Sequence, residues 1–238
     1  MSKLAFYGFI SDPINFKPKE LGTVKSFEYP NALIVQFAKA PVPGKVKTRL
    51  IPSLGVNGAC ELHKTMTSHV FTSLLAGHLA PVELHTNMPA HPFMQQLSVS
   101  GGVEVCEQIE GDLGAKMAEV FDKALQRPST HAVVLVGSDC PSIDAEYLRD
   151  ALKSLEQGND LVIGPASDGG YVLIGMRKCT KLIFDDVAWG GSGVLKSTLK
   201  KAQQASLKTV LLSERHDIDR AEDLPLLAPC GITEPHWH

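Results

Sequence analysis

The chain has 238 residues, 44% hydrophobic and 21% charged, which is enough apolar material for one ample globular domain. Its formal net charge of −3 offers no general attraction to nucleic acid, and no apolar stretch approaches the roughly 18 uninterrupted residues of a membrane span. Met1 to Pro30 shows no signal-peptide core, and Cys60, Cys106, Cys140, Cys179 and Cys230 are odd in number and lack Cys-x-x-Cys spacing, so a cytoplasmic chain with reduced thiols and no zinc site is expected.

Residues 1–30 carry Pro13, Pro18 and Pro30 and little periodicity, so they read as an N-terminal extension, either an arm laid over the domain or a tail. Residues 31–238 read as a single domain. Ala32 to Ala38 is apolar enough to be a strand buried on both faces. A Pro- and Gly-punctuated basic loop follows, and then Asn57 is placed to cap a helix whose Leu62, Met66, Val70 and Leu74 recur at a period near 3.6. Val82 to Thr86 predicts a strand, the stretch with Pro89 and Pro92 an irregular segment, and Val103 to Gln108 another strand. A helix with Met117, Val120, Phe121 and Ala124 inward comes next, then a second strongly buried strand, His131 to Gly137. After a loop, Leu148, Ala151, Leu152 and Leu155 mark one more helix. Leu161 to Gly164 and Tyr171 to Met176 predict a hairpin at the edge of the sheet. Gly190, Gly191 and Gly193 open a helix with Val194, Thr198 and Ala202 on one face, and Thr209 to Leu212 supplies a last strand. This alternation predicts a three-layer α/β/α sandwich with a mostly parallel mixed sheet.

Chemistry is expected where strands end, because ligands of open α/β sheets sit beyond the carboxyl ends of the strands. After the first strand stand Lys39, Lys45, Lys47 and Arg49, cations that repel one another unless an anion joins them. Pro41, Pro43 and Gly44 stiffen the loop and lower the ordering cost of gripping a polyphosphate. A solvated basic loop is the alternative. The loop is not a Walker A segment, since Val46 follows the lysine where Ser or Thr is needed, and no Gly-x-Gly-x-x-Gly follows the strand.

Carboxylates are loaded at two further strand ends. Asp139 follows the second buried strand, where Ser142 and Asp144 are better placed as helix caps, and Asp217 and Asp219 follow the last strand. Asp219 reads either as an N-cap or as a ligand. Hard divalent ions take oxygen ligands, often one or two carboxylates with phosphate and water completing the shell, and Asp139 with Asp219 meets that count. Gly111 and Asp112 open a helix whose amides suit an anion, with Lys116 one turn in, although Asp112 as a plain N-cap fits as well. Asp168, Gly169, Gly170 and Tyr171 let backbone approach a ligand, with Asp168 binding sugar hydroxyls or acting as a base, or they form a tight turn. Trp189 before its glycines reads as a sugar-capping lid or as packing.

Six segments carry a resemblance. Phe37 to Leu50, Gln108 to Met117, Val136 to Pro141, Gly164 to Tyr171, Trp189-Gly190 and Asp217 to Asp219 are, in this order, similar to the bacterial GT-A-fold glycosyltransferases of the arsenosugar-biosynthesis type. Those in turn resemble molybdenum-cofactor and phospholactate nucleotidyltransferases. The resemblance implies a nucleotide-diphospho-sugar transferase fold over residues 31–228, with Mg2+ or Mn2+ as cofactor. It implies that Phe37, Ala38, Lys39, Pro43, Gly44, Lys45, Lys47 and Arg49 hold nucleotide phosphates together with Gly111, Asp112, Lys116 and Ser138, and that Asp139 and Asp219 bind the metal. Two departures stand out: Asp139 is followed by Cys140-Pro141 rather than completing Asp-x-Asp, and Lys116 replaces a common arginine, losing its bidentate fork. The expected activity is transfer of a glycosyl group from a nucleotide sugar to a small acceptor, with Asp139, Asp168 and Lys45 catalytic. The alternatives are nucleotidyl transfer from an NTP with pyrophosphate release, and a nucleotide-sensing module without turnover.

Overall fold

A computed structural model describes residues 26–233. The expectations for the rest of the N-terminal extension and for the last residues lie outside it. Of the extension, residues 26–30 are described and lie against the domain: the Tyr29 N–H donates to the Leu79 carbonyl at 2.7 Å, and Phe27 stacks on His78.

Seven strands form one sheet. They are β1 (Ala32–Ala38), β2 (Val82–Thr86), β3 (Glu104–Glu107), β4 (Ala132–Val136), β5 (Leu161–Pro165), β6 (Tyr171–Met176) and β7 (Thr209–Leu211), in the spatial order β3-β2-β1-β4-β6-β5-β7. Only β6 runs against the others, pairing antiparallel with both β4 and β5. The central strands β1 and β4 are apolar apart from Gln36 because helices cover both faces. On one face, α1 (Ile51–Ala76) and α4 (Ala145–Glu156) bury Val70, Leu74, Leu148 and Leu152 against Ile34 and Val134. On the other, α3 (Leu113–Leu125) and α5 (Val194–Gln204) bury Met117, Phe121 and Ala202 against Val35 and Leu135. The expected three-layer sandwich and the mostly parallel mixed sheet are both present.

Three expectations need correction. The segment with Pro92 is not irregular: it forms α2 (Pro92–Gly101), with Pro92 in the first turn, where its missing N–H has no partner to lose. Met94 and Leu97 then pack on Phe71 and Leu84. The β5–β6 hairpin is not at the sheet edge, because β7 adds outside β5 in parallel. Asn57 does not cap the helix of the first crossover, since α1 begins at Ile51 and is broken at Gly55, whose φ of 71° and ψ of 169° are not helical. Asp144 does cap α4, its Oδ1 accepting from the Tyr147 N–H at 2.8 Å.

Candidate active site

The strand directions bring the carboxyl ends of β1 and β4 and the start of the reversed β6 to one edge. There a cavity of about 680 Å³ opens, walled by the basic loop, the loop after β4, the start of β6 and the segment after β7.

The basic loop is pinned by alternate residues. Val46 and Leu50 are buried, and Leu50 shares an apolar cluster with Leu62 and Met66 of α1 and with Ile218. Lys39, Lys45 and Arg49 point outward, and all three line the cavity. Lys47 turns inward: its side chain is 3% exposed. Its φ of 45° and ψ of 42° lie in the left-handed region, which costs a non-glycine residue roughly 1–2 kcal/mol. Three contacts hold it there. The ammonium donates to Asp139 Oδ1 at 2.8 Å, Asp219 Oδ1 at 3.1 Å and the Ile218 carbonyl at 2.6 Å. An ammonium has three protons, so this one is fully used. Burial alone would lower the Lys47 pKa, yet Asp139 and Asp219 outweigh it and raise it. Burial likewise opposes ionisation of Asp219, but Lys47 and Arg49 hold its carboxyl below the usual range. Arg49 Nη1 meets the other oxygen of Asp219 at 2.7 Å.

The sequence separates Asp139 from Asp219, and the fold reunites them around one nitrogen. Ile218 donates its N–H to the Asp139 carbonyl at 2.9 Å, which ties the two loops together. Asp219 is not the cap of the following 3-10 run, which starts after Arg220; Asp223, in its first turn, reaches back to accept from the N–H groups of Asp219 and Arg220. Two roughly half-exposed carboxylates within reach of one cation suit a hard divalent ion in their donor chemistry.

Other expected residues have prior engagements. Ser138 is buried, its hydroxyl accepting from Gln36 Nε2 at 3.0 Å and donating to the Phe37 carbonyl at 2.8 Å, so it braces the ends of β1 and β4. Asp112 Oδ1 caps α3 by accepting from Ala115 N–H, with Lys116 on the cavity wall one turn later. Asp168 Oδ1 accepts from Gly170 N–H within its own turn. Trp189 packs over Gly114, and its ring meets Tyr171 edge-on at 6.4 Å. Phe37, Ala38 and Tyr171 line the cavity, whereas Pro43, Gly44, Gly111, Asp112, Asp168, Gly169, Gly170 and Trp189 are not among its lining residues.

Asp217 and His63 also line the wall, and sequence reasoning assigned neither a role. Asp217 is pushed up to about 7, first by burial and then by Asp139, Asp168 and Asp219, with Lys47 opposing. Its signal was the Asp-x-Asp spacing with Asp219. His63, on α1, is buried and donates from Nε2 to the Lys39 carbonyl at 2.9 Å. That contact fixes its tautomer, and burial lowers its pKa. Nothing in the local sequence marks it, because it falls on the helix face that otherwise packs.

A different cluster lies across β2 and β3, where Glu83, His85 and Cys106 have ligand atoms within 4.8 Å of one another. Arg127 already engages both oxygens of Glu83, and His85 Nε2 donates to it at 3.0 Å, so the group reads as a charge-balanced brace.

The architecture defines the class: a nucleotide-diphospho-sugar-transferase-like α/β fold. The chain belongs to the family described as "Uncharacterized protein conserved in bacteria (DUF2064)", which matches residues 70–191. A structure from Desulfovibrio desulfuricans G20, provisionally described as a nucleotide-diphospho-sugar transferase, is 32% identical, with 83% of this chain and 86% of that one covered at a TM-score of 0.76. The 4-diphosphocytidyl-2C-methyl-D-erythritol synthase of Anaerococcus prevotii DSM 20548 shares the fold at 11% identity, 82% and 94% coverage and a TM-score of 0.52. So does Rv0371c of Mycobacterium tuberculosis H37Rv in complex with manganese, at 16% identity, 82% and 97% coverage and a TM-score of 0.51. No curated protein matches the chain. Among the described residues no helix is long and apolar enough to cross a membrane.

Proposed function

We propose that this protein is a divalent-metal-dependent transferase that binds a nucleotide-diphospho-sugar and passes its glycosyl group to a small acceptor. The observation that carries this reading is the convergence of Asp139 and Asp219 on one cation position, 2.8 and 3.1 Å from the Lys47 nitrogen, at a cavity rimmed by Lys39, Lys45, Arg49 and Lys116. The description of the Desulfovibrio relative supports the same substrate class, and the manganese in Rv0371c supports the choice of Mg2+ or Mn2+. The narrower likeness to arsenosugar-type enzymes rests on the sequence motifs alone.

When bound, the metal would neutralise phosphate oxygens and stabilise the departing diphosphate. The protein's share is electrostatic. Asp139 and Asp219 hold the ion, while Lys45, with Lys39, Arg49 and Lys116, balances the charge that grows on the leaving group as the bond from sugar carbon to phosphate oxygen breaks. Phe37, Ala38, Pro43, Gly44, Gly111, Asp112 and Ser138 shape the nucleotide side. Asp168 serves the acceptor as base or sugar-hydroxyl acceptor, and Gly169, Gly170, Tyr171 and Trp189 form that flank.

A second reading is nucleotidyl transfer, in which an acceptor attacks the α-phosphorus of an NTP and pyrophosphate departs. The single Asp139 before Cys140-Pro141, in place of Asp-x-Asp, favours it. Incubation with Mn2+ and panels of nucleotide sugars and NTPs separates the two, because released nucleoside diphosphate supports the first and released pyrophosphate the second. Calorimetric titration of Asp139→Ala tests the shared core. Unchanged metal-dependent nucleotide affinity overturns it.

A further inference from the structure

We infer that Lys47 is an exchangeable counter-ion, which occupies the cation position between Asp139 and Asp219 and must leave it for a divalent metal to enter. This rests on the reading of Asp139 and Asp219 as the metal ligands. The sequence places Lys47 among outward phosphate-binding cations, but the fold turns it inward, where all three of its protons are used and its side chain is 3% exposed. The ammonium already occupies Asp139 Oδ1 and Asp219 Oδ1, and a metal ion brought to the same two oxygens would meet it as a like charge at contact distance, which repels.

The backbone gives an independent sign. Lys47 alone in the basic loop takes the left-handed conformation without being glycine. Such strain persists where surrounding contacts over-determine it, and residues held that way concentrate at sites that switch. Here the contacts are those to Asp139, Asp219 and the Ile218 carbonyl, and the two carboxylate contacts are the ones a metal would replace. Lys39, Lys45 and Arg49 lie on the same cavity wall, so a released Lys47 would find the polyphosphate that the metal carries.

The exchange has a functional meaning. A free metal ion must displace a well-satisfied ammonium and leave it without an anion. A metal ion that arrives on a nucleotide brings phosphate oxygens to receive it. The site therefore resists bare metal and admits the metal-nucleotide complex, a coupling in which each ligand favours the other. Asp139 and Asp219 meanwhile stay paired and preorganised.

The test is Mn2+ binding without nucleotide, read by the electron paramagnetic resonance of free Mn2+, on the full chain and on Lys47→Met. The variant should bind Mn2+ about tenfold or more tighter, the scale of losing one competing charge at a partly exposed carboxylate pair. Adding Asp139→Asn should abolish that gain. Equal or weaker binding by Lys47→Met, with Asp139→Asn still removing what is bound, overturns the exchange and leaves the metal assignment standing. Mn2+ binding indifferent to Asp139→Asn overturns the metal assignment and the exchange with it. Should Lys47→Met not fold, wild-type protein decides by itself. A shielded lysine ammonium signal, assigned by its loss in Lys47→Arg, should broaden or shift on addition of Mg2+. A signal that stays fixed at Mg2+ concentrations that alter the Asp139 resonances overturns the exchange.

Discussion

Ile218 donates its backbone N–H to the carbonyl of Asp139 at 2.9 Å, so the acidic segment after β7 is stitched to the loop after β4 by main chain as well as by the Lys47 ammonium between Asp139 and Asp219. Leu50 and Ile218 lie in the same apolar cluster, which fixes the basic loop to that segment as well. The segments that carry Lys47, Asp139 and Asp219 are thus also joined by packing and a backbone bond, and removing one charge should alter binding more than architecture.

Gly169→Ala should destabilise the fold. Gly169 has a φ of 88°, and an added Cβ would come 2.1 Å from the Ser192 carbonyl. The Leu195 N–H also donates to the Gly169 carbonyl at 2.9 Å, so the turn before β6 and the loop before α5 move together. Urea unfolding should show a loss of about 1–3 kcal/mol. Limited proteolysis should cut near residues 190–193 sooner than in wild type.

Ser138→Ala should cost about 1–2 kcal/mol in the same measurement, because it leaves the Phe37 carbonyl without its hydroxyl donor. Gln36 Nε2 keeps its bond to the Thr67 carbonyl at 3.1 Å, so the loss should stay within that range. A negligible change would mean that the brace between β1 and β4 is redundant.

Acid should expose the contribution of Glu83. Burial would raise its carboxyl, but hydrogen bonds from His85 and Arg127 outweigh burial and hold it down at about 2, against 4.5 when unperturbed. A depressed carboxylate stabilises the fold fully above its unfolded value and loses that contribution as pH falls towards its folded one. Wild type should therefore lose about 3 kcal/mol more than Glu83→Gln between pH 5 and pH 2. Parallel stability curves for the two proteins would refute the assignment.

Gly114→Ala should displace Trp189, since an added Cβ would lie 2.7 Å from the indole nitrogen. The chain has two tryptophans, so a Trp237→Phe background leaves Trp189 as the only indole. Its emission should move to the red as the ring loses its seat on α3.

Much of this fold was readable because burial on two faces leaves an unmistakable apolar run, as in β1 and β4, and because Leu62, Met66, Val70 and Leu74 keep a helical period. The three-layer order followed from their alternation. Pro92 misled because the same residue breaks a helix interior and suits a helix start, and only the packing of Met94 on Phe71 and Leu84 decides. The place of β7 outside β5 is a long-range pairing with no local mark. At the site, the residue types at the strand ends were legible, but their orientation was not. Lys47 looks like its basic neighbours until a left-handed backbone turns it inward. Ser138 looks available until Gln36 and Phe37 claim its hydroxyl.

The reversal of β6 has a consequence for how such a site can diversify. Six co-directional strands deliver only their exits to the ligand edge, whereas β6 delivers an entrance, preceded by the short turn from Ala166 to Gly170. Lengthening or recolouring that turn would remodel one flank of the chamber while the register of β4 with β6, from Val133 opposite Met176 to Val136 opposite Leu173, stays untouched. Under the proposed function, selectivity for the acceptor can drift there without disturbing the basic loop on the opposite wall.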